Sequence, residues 1–208
     1  VDANGKTCIW QDGLDIPLVN ALEANDYAVY DGKQNLDFPV NYSPITYGTS
    51  GFIPADKVWD KPYSPLFKYS WKTVYPALLE AVKVNEINPF DGILMHYSNP
   101  LTGGHVMQTM GASMQLLPAN FKGKAHKHTG SFVYQCAKGK GYSIINGKRF
   151  DWKERDIFCV PSWAWHEHHN LSETEDACLF SFNDLPVIEK LGLYQSRELE
   201  ENNGHQIV

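Results

Sequence analysis

From about residue 90 onward the chain breaks into short β-rich runs separated by turn residues, and this pattern sets its fold class. The runs are GILMHYS, ASMQLLP, SFVYQCAKG, GYSIINGKRFDW, DIFCVPSWAW and ACLFSFND. Many short strands at close spacing make a sandwich or a barrel. Inside the fourth run, Asn146-Gly147 separates YSII from KRFDW. This is a hairpin signal, because a type I′ turn needs positive φ at both central residues. The expectation is an all-β domain over residues 90–185.

The remainder reads differently. WKTVYPALLEAVKVNE, residues 71–86, spaces Val74, Leu78, Leu79 and Val82 as a helix does, which predicts a helix from about Trp71 to Lys83. Pro76 falls near its start, where proline is tolerated. Residues 31–70 are rich in Pro, Gly, Ser, Tyr and Asn, and carry Phe38, Tyr42, Tyr47, Phe52, Trp59, Tyr63, Phe67 and Tyr69. So many aromatics predict an arm that packs on a globular surface rather than a floppy spacer. Residues 1–30 predict a strand at Thr7 to Trp10, a turn through Asp12-Gly13 and an apolar segment. Residues 186–208 predict a short helix and a charged, frayed tail.

The histidines raise the question of chemistry. His126 and His128 stand one residue apart at the head of a strand-like run, so their side chains share a face. Two neutral imidazoles on one face can grip a metal ion, or can be two solvated surface histidines. Further along, Pro161, Trp163, His166 and Asn170 space out P-x-W-x-x-H-x-x-x-N. A metal centre of this kind needs about three nitrogen ligands from adjacent strands converging where bulk water is excluded.

Composition narrows the field. The chain has 208 residues, 43% of them hydrophobic, and a formal net charge of −6. That is enough for one packed domain with appendages or two small ones. The charge argues against nucleic acid as partner, since a phosphate-binding face needs clustered Lys and Arg; Lys122, Lys124 and Lys127 read as a solvated loop. No apolar run has the length of a membrane span, and no signal peptide opens the chain. Cys8, Cys136, Cys159 and Cys178 form no C-x-x-C pair, which predicts buried free thiols in a reducing cytoplasm.

H-x-H, a turn marked by Gly139 and Gly141, and P-x-W-x-x-H-x-x-x-N together resemble the two motifs of the cupin superfamily, a double-stranded β-helix with a jelly-roll-like barrel. YSNPLTGGHVMQTMGASMQLLP, AHKHTGSFVYQCAKGKG and VPSWAWHEHHN resemble the second half of the gentisate 1,2-dioxygenase family, which includes salicylate and 1-hydroxy-2-naphthoate dioxygenases. WQDGLDIPLVNALEAN and YSPLFKYSW are similar to the same family. The resemblance implies a cytoplasmic bicupin of about twice this length. It implies a non-haem Fe(II) ion, or another divalent metal, held by His126, His128 and His166. It also implies a small aromatic carboxylate and O2 as substrates and a homotetrameric assembly. The glutamate that many cupins add would fall at Phe132 or Val133, in keeping with a three-histidine set.

The same resemblance places residues 1–30 at the end of a first cupin, with Trp10 and Asp12 lining that cupin's catalytic pocket. Residues 31–89 become a linker, 90–185 a C-terminal cupin and 186–208 a tail. The chain, which opens VDANGKTCIW without a methionine, is then expected to be part of a longer protein. Where catalytic cupins of the family carry a substrate-orienting arginine, this sequence has Tyr134, which can donate one hydrogen bond but offers no permanent charge. His168 matches a substrate-contacting histidine and shares the face of His166.

The neighbouring residues are expected to be structural. Glu167 reads as a solvated charge, His169 as surface, His96 and His105 as loop histidines, and His205 has no role. Trp165 reads as core and Trp163 as a shield over the metal. Three functions compete: part of a ring-cleaving dioxygenase, a non-catalytic metal-binding cupin that supports an oligomer, and a stand-alone metal-dependent cupin isomerase or lyase.

Overall fold

The computed structural model describes residues 5, 7, 9–26, 32, 39–56 and 59–208, divided between two compact units, residues 1–35 and 36–208. In the first unit, helix α1 (Ile16–Ala21) follows Asp15 and takes Pro17 in its first turn, and none of its residues is buried. Thr7, Ile9 and Trp10 are not in a strand, in contrast to the expectation, and Cys8 lies outside the described residues. A strand exists only through its ladder of bonds to a neighbour, and none pairs with this stretch among the described residues.

In the second unit, helices α2 (Tyr42–Tyr47) and α3 (Trp71–Val84) precede ten strands. These are β1 (Ile93–His96), β2 (Gly111–Leu117), β3 (His126–His128), β4 (Phe132–Lys138), β5 (Lys140–Ile145), β6 (Lys148–Lys153), β7 (Ile157–Val160), β8 (His166–Asn170), β9 (Ala177–Asn183) and β10 (Ser196–Glu198). Helix α4 (Leu185–Lys190) lies between the last two. Among the described residues the strands form two five-stranded antiparallel sheets, in the orders β1-β2-β9-β4-β7 and β10-β3-β8-β5-β6. The all-β, two-sheet domain expected from the run spacing is what the chain builds. The β5–β6 hairpin turns on Asn146 and Gly147 with φ of 47° and 73°, as the type I′ geometry requires.

Strand alternation makes two cores. One face of β2, β4 and β9 sends Leu117, Phe132, Tyr134, Cys136, Ala177 and Leu179 into the barrel, where they meet Ile145, Trp152 and Val160 of the second sheet and of β7. The other face sends Met114, Leu116, Cys178 and Phe180 outward, where α3 covers them with Val74, Leu78, Ala81 and Val82. Leu79, expected on the apolar stripe, is instead 37% exposed; the packed face is completed by Ala81. Pro76 sits at the sixth helical position, beyond the tolerant first turn. The bond it cannot donate is owed to the carbonyl of Lys72, an exposed residue that water can serve.

Gly141 lies inside β5 rather than in the turn, and a Cβ there would stand 2.4 Å from the Trp152 ring. Only glycine lets the indole lie flat on the strand. Asn170 closes β8 by donating from one amide nitrogen to the carbonyls of Leu117, Pro118 and Glu175.

The arm docks within its unit. Ser64 donates its N–H to Val106, and the Tyr69 hydroxyl donates to the Ser98 carbonyl while its ring meets Tyr97 edge-on. Trp59, Tyr63 and Phe67 cluster, whereas Phe52 is exposed and Phe38 lies outside the described residues. Cys136 and Cys178 are buried free thiols as expected, but Cys159 is exposed, on the outward side of the short strand β7.

The frayed tail is a correction. Residues 196–198 pair with β3 in the register Ser196↔His128 and Glu198↔His126, and Leu199 and Gly204 exchange backbone bonds with Ala125. The strand is polar because its side chains are exposed, so no hydrophobic alternation announces it. No helix among the described residues is long and apolar enough to cross a membrane.

Leu78 is fully buried between α3 and the first sheet. Leu78→Ala should lower unfolding free energy by about 2–5 kcal/mol, the cost of an unfilled leucine site, read as a reduced urea midpoint at unchanged slope.

Candidate metal centre

β3 and β8 are neighbours with His126 opposite His166. Alternation therefore turns His126, His128 and His166 toward one point inside the barrel. One ring nitrogen from each lies within 4.8 Å of the other two, and the ring centroids are 4.3, 4.9 and 5.5 Å apart.

Two of the rings are oriented by backbone. Nδ1 of His166 is 3.0 Å from the Ala164 carbonyl, and Nδ1 of His128 is 3.1 Å from the Thr129 carbonyl. A carbonyl can only accept, so each Nδ1 carries the proton and each Nε2 presents a lone pair. Nε2 of His166 and Nδ1 of His126 are buried with no hydrogen-bond partner. A buried imidazole nitrogen without a partner is costly unless something accepts its lone pair. The donor set and its carbonyl-fixed rings thus fit a divalent first-row metal.

Burial holds these rings neutral. It pushes His126 down to about 4 and His168 to about 3, and drives His128 and His166 below the ordinary histidine range, with neighbouring imidazoles adding to the effect at His128, His166 and His168. Neutral imidazoles are what a metal requires.

The centre opens on a cavity of about 350 Å³ walled by Phe90, His126, His128, Phe132 and Tyr134. Tyr134 is buried and stacks between Phe132 and Phe158. Burial raises its phenol well above the usual range, so it is a neutral hydrogen-bond donor.

His168 is on the inner face but fully enclosed. Ser143 Oγ lies 2.7 Å from its Nδ1, and the Trp152 indole N–H donates to that same hydroxyl oxygen. The ring packs 4.8 Å from Tyr134 and 5.7 Å from His166, between the metal centre and the core. Trp10 and Asp12 are both exposed in the first unit.

Sequence reasoning missed three carboxylates. Asp91, Glu189 and Glu198 line the cavity, with an Asp91 oxygen 4.0 Å from His126 Nε2. Burial pushes the Asp91 carboxyl up to about 6, against the pull of His128 and His96. Asp91 sits in NPFDG, where an Asp-Gly pair reads as turn chemistry, and Glu198 arrives on the unforeseen β10. Arg197 also borders the cavity, but its guanidinium lies 5.7 Å over Trp163.

Other expectations are corrected. Trp163 and Trp165 stand under Lys127, whose ammonium is 5.1 and 4.6 Å from the two rings. Lys127 alternates with His126 and His128, so both indoles are on the outer side; Trp163 does not shield the centre, and Ala164 takes the core position expected of Trp165. Glu167 is not solvated and His169 is not on the surface: both are buried. His205 lies beside Glu167. His96 meets Ser113, and loop residue His105 meets Glu189.

Residues 113–183 match the cupin domain family. The chain is 36% identical to a 5-aminosalicylate 1,2-dioxygenase of Comamonas sp over 96% of its own length and 53% of the relative's. It is 35% identical to gentisate 1,2 dioxygenase 1 of Aquipseudomonas alcaligenes over 94% of itself and 55% of the relative. The crystal structure of a salicylate 1,2-dioxygenase from Pseudaminobacter salicylatoxidans superposes with a TM-score of 0.78 at 26% identity, covering 88% of this chain and 53% of that one. The chain thus spans about half the length of the curated relatives it matches.

Depressed histidine pKa values make stability depend on pH. A group with a lowered folded pKa stabilises fully above its unfolded value, near 6.5, and loses that contribution as pH falls toward its folded value. Asp91, raised to about 6, acts oppositely between roughly pH 6 and 4, but it is one group against four. The metal-free protein should therefore show a thermal midpoint that falls steadily from pH 7 to pH 4; a midpoint rising over that range would contradict the buried, neutral histidine set.

Proposed function

We propose, from the premise that this chain is a cupin homologous over nearly its whole length to gentisate-type ring-cleaving dioxygenases, that it forms part of a non-haem Fe(II) dioxygenase. The substrate class is a hydroxylated aromatic carboxylate, and both atoms of O2 enter the product. Residues 90–185 serve as the C-terminal cupin of a bicupin, residues 31–89 as its linker and residues 1–30 as the end of a first cupin. The observation that carries this reading is the convergence of His126, His128 and His166, with ring nitrogens left unpartnered, inside an aromatic-walled cavity.

Those three imidazoles hold the metal, with the Ala164 and Thr129 carbonyls fixing two of the rings. Fe(II) bound there supplies open coordination positions for substrate oxygens and O2 and a redox partner for O2. Phe90, Phe132 and Tyr134 keep bulk water from the cavity. Tyr134 donates a hydrogen bond from its neutral hydroxyl to a substrate oxygen. His168, locked by Ser143 and Trp152, acts as a positioning residue behind His166. Trp10 and Asp12 act in the first cupin's pocket. The protein works in the cytoplasm as a homotetramer.

A second reading is favoured by the cavity's charge. Asp91, Glu189 and Glu198 border it, Tyr134 offers no charge, and the Arg197 guanidinium stands over Trp163. Such a site accepts a cation readily and an anionic aromatic acid poorly. Under that reading this barrel binds metal and supports the assembly without turning over substrate.

One experiment separates them. The protein is loaded with Fe(II), its metal content measured, and O2 uptake followed with gentisate, salicylate and 1-hydroxy-2-naphthoate. Ring cleavage should consume one O2 per substrate. His128→Ala should lose both the bound iron and at least 100-fold in activity, about 2.7 kcal/mol. Stoichiometric iron without O2 uptake supports the second reading; no iron in the wild-type protein defeats both.

A further inference from the structure

β8 carries two sets of side chains, and the metal centre uses the inner one. Glu167 and His169 point the other way, yet they are only 1% and 5% exposed. The segment that follows β10 buries them. Gly204 accepts a bond from the Ala125 N–H, and the Gln206 side chain accepts from Gly147 and donates to the Ile144 carbonyl. This lays His205, about a third exposed, against the outer face of the sheet.

A buried carboxylate is expensive unless a cation meets it, and the contacts of Glu167 are to two imidazoles and the Gln206 N–H, none of them a fixed cation. We propose that Glu167, His169 and His205 form a second divalent-cation site, on the outer face of β8, of the mixed nitrogen and oxygen type that Zn(II) and related first-row ions occupy.

Distances support this. Glu167 Oε1 is 3.2 Å from His169 Nε2, and Oε2 is 3.5 Å from His205 Nδ1. A charge-assisted N–H···O bond closes to about 2.7–2.9 Å. Donor atoms that share one ion at bonds of about 2.0–2.1 Å in a tetrahedron stand roughly 3.3 Å apart. Both contacts are longer than such a hydrogen bond, and they run to different oxygens of the carboxylate, so the two imidazoles flank it on either side. One donor atom from each of the three residues lies within 4.8 Å of the other two.

The surroundings also suit a bound ion. The Gln206 N–H donates to Glu167 Oε2, 3.3 Å away, and Tyr142 stacks on His169 with centroids 4.4 Å apart and planes 7° from parallel. Both fix ligand orientation from behind, as outer partners of metal sites do. The remaining ring nitrogen of His169 is buried with no hydrogen-bond partner, so the ring is held by the Tyr142 stack and the Glu167 contact. The exposed side of His205 leaves a fourth position for water. An ion here ties residue 205 to β8 and so holds the C-terminal segment in place.

The test uses Zn(II) as probe. Wild-type protein, His205→Gln and Glu167→Gln are each incubated with excess Zn(II), desalted and assayed for bound metal. His205 is partly exposed, and Gln is close in size to Glu at 167, so both variants should fold, as circular dichroism checks. The expected result is one zinc fewer per chain in each variant than in the wild type. Equal zinc in all three overturns the proposal. His128→Ala, which disables the inner centre, should keep the outer zinc and still gain thermal stability on adding it, whereas His128→Ala combined with His205→Gln should bind none and gain nothing. The inner site can therefore fail without changing the difference between wild type and His205→Gln.

Discussion

The structure turns on the pairing of β8 between β3 and β5. Because the pleat has a period of two, the five residues HEHHN must divide into a set facing the barrel and a set facing away. The register His126↔His166 then brings three imidazoles to one point, and Ser143↔His168 sets a fourth behind them on a hydroxyl. A slip of one residue would send Glu167 and His169 inward and dismantle the centre. Asn170, anchored to three carbonyls at the strand's end, opposes that slip.

Around this pairing, burial and charge act in different directions. The rings of Phe132, Tyr134 and Phe158 create the low-polarity surroundings that keep the histidines unprotonated. Asp91, Glu189 and Glu198 at the open side add negative potential to the same cavity. Neutral nitrogens and nearby carboxylates both favour a cation. They do not favour a carboxylate ligand, which would need a guanidinium or ammonium in reach. The cavity is therefore better matched to a metal than to the acid function of an aromatic substrate.

Much of this was legible in the sequence. Run spacing and Asn146-Gly147 indicated the barrel and its hairpin, and the i, i+2 rule put His126 with His128 and His166 with His168. What escaped notice depended on long-range contacts. Glu167 and His169 alternate outward as expected, but outward means solvent only if nothing lies above, and residues 199–206 do. β10 gave no signal because an exposed edge strand needs no apolar residues; its register comes from the open backbone of β3. Asp91 was masked by its turn motif, and Trp163 and Trp165 by the habit of assigning large aromatics to the core, when Lys127 offers their faces a cation.

The strand order carries a further consequence for how the molecule is made. β9, residues 177–183, lies in the middle of its sheet, between β2 and β4, and its register with β2 joins Gly111 to Asn183. On a ribosome those earlier strands would emerge without the neighbour that separates them, and could gain their native ladder only once nearly the whole domain had cleared the exit tunnel. Such a nascent chain closes late and through distant pairings, which makes folding slow and leaves β2 and β4 open to wrong partners in the meantime.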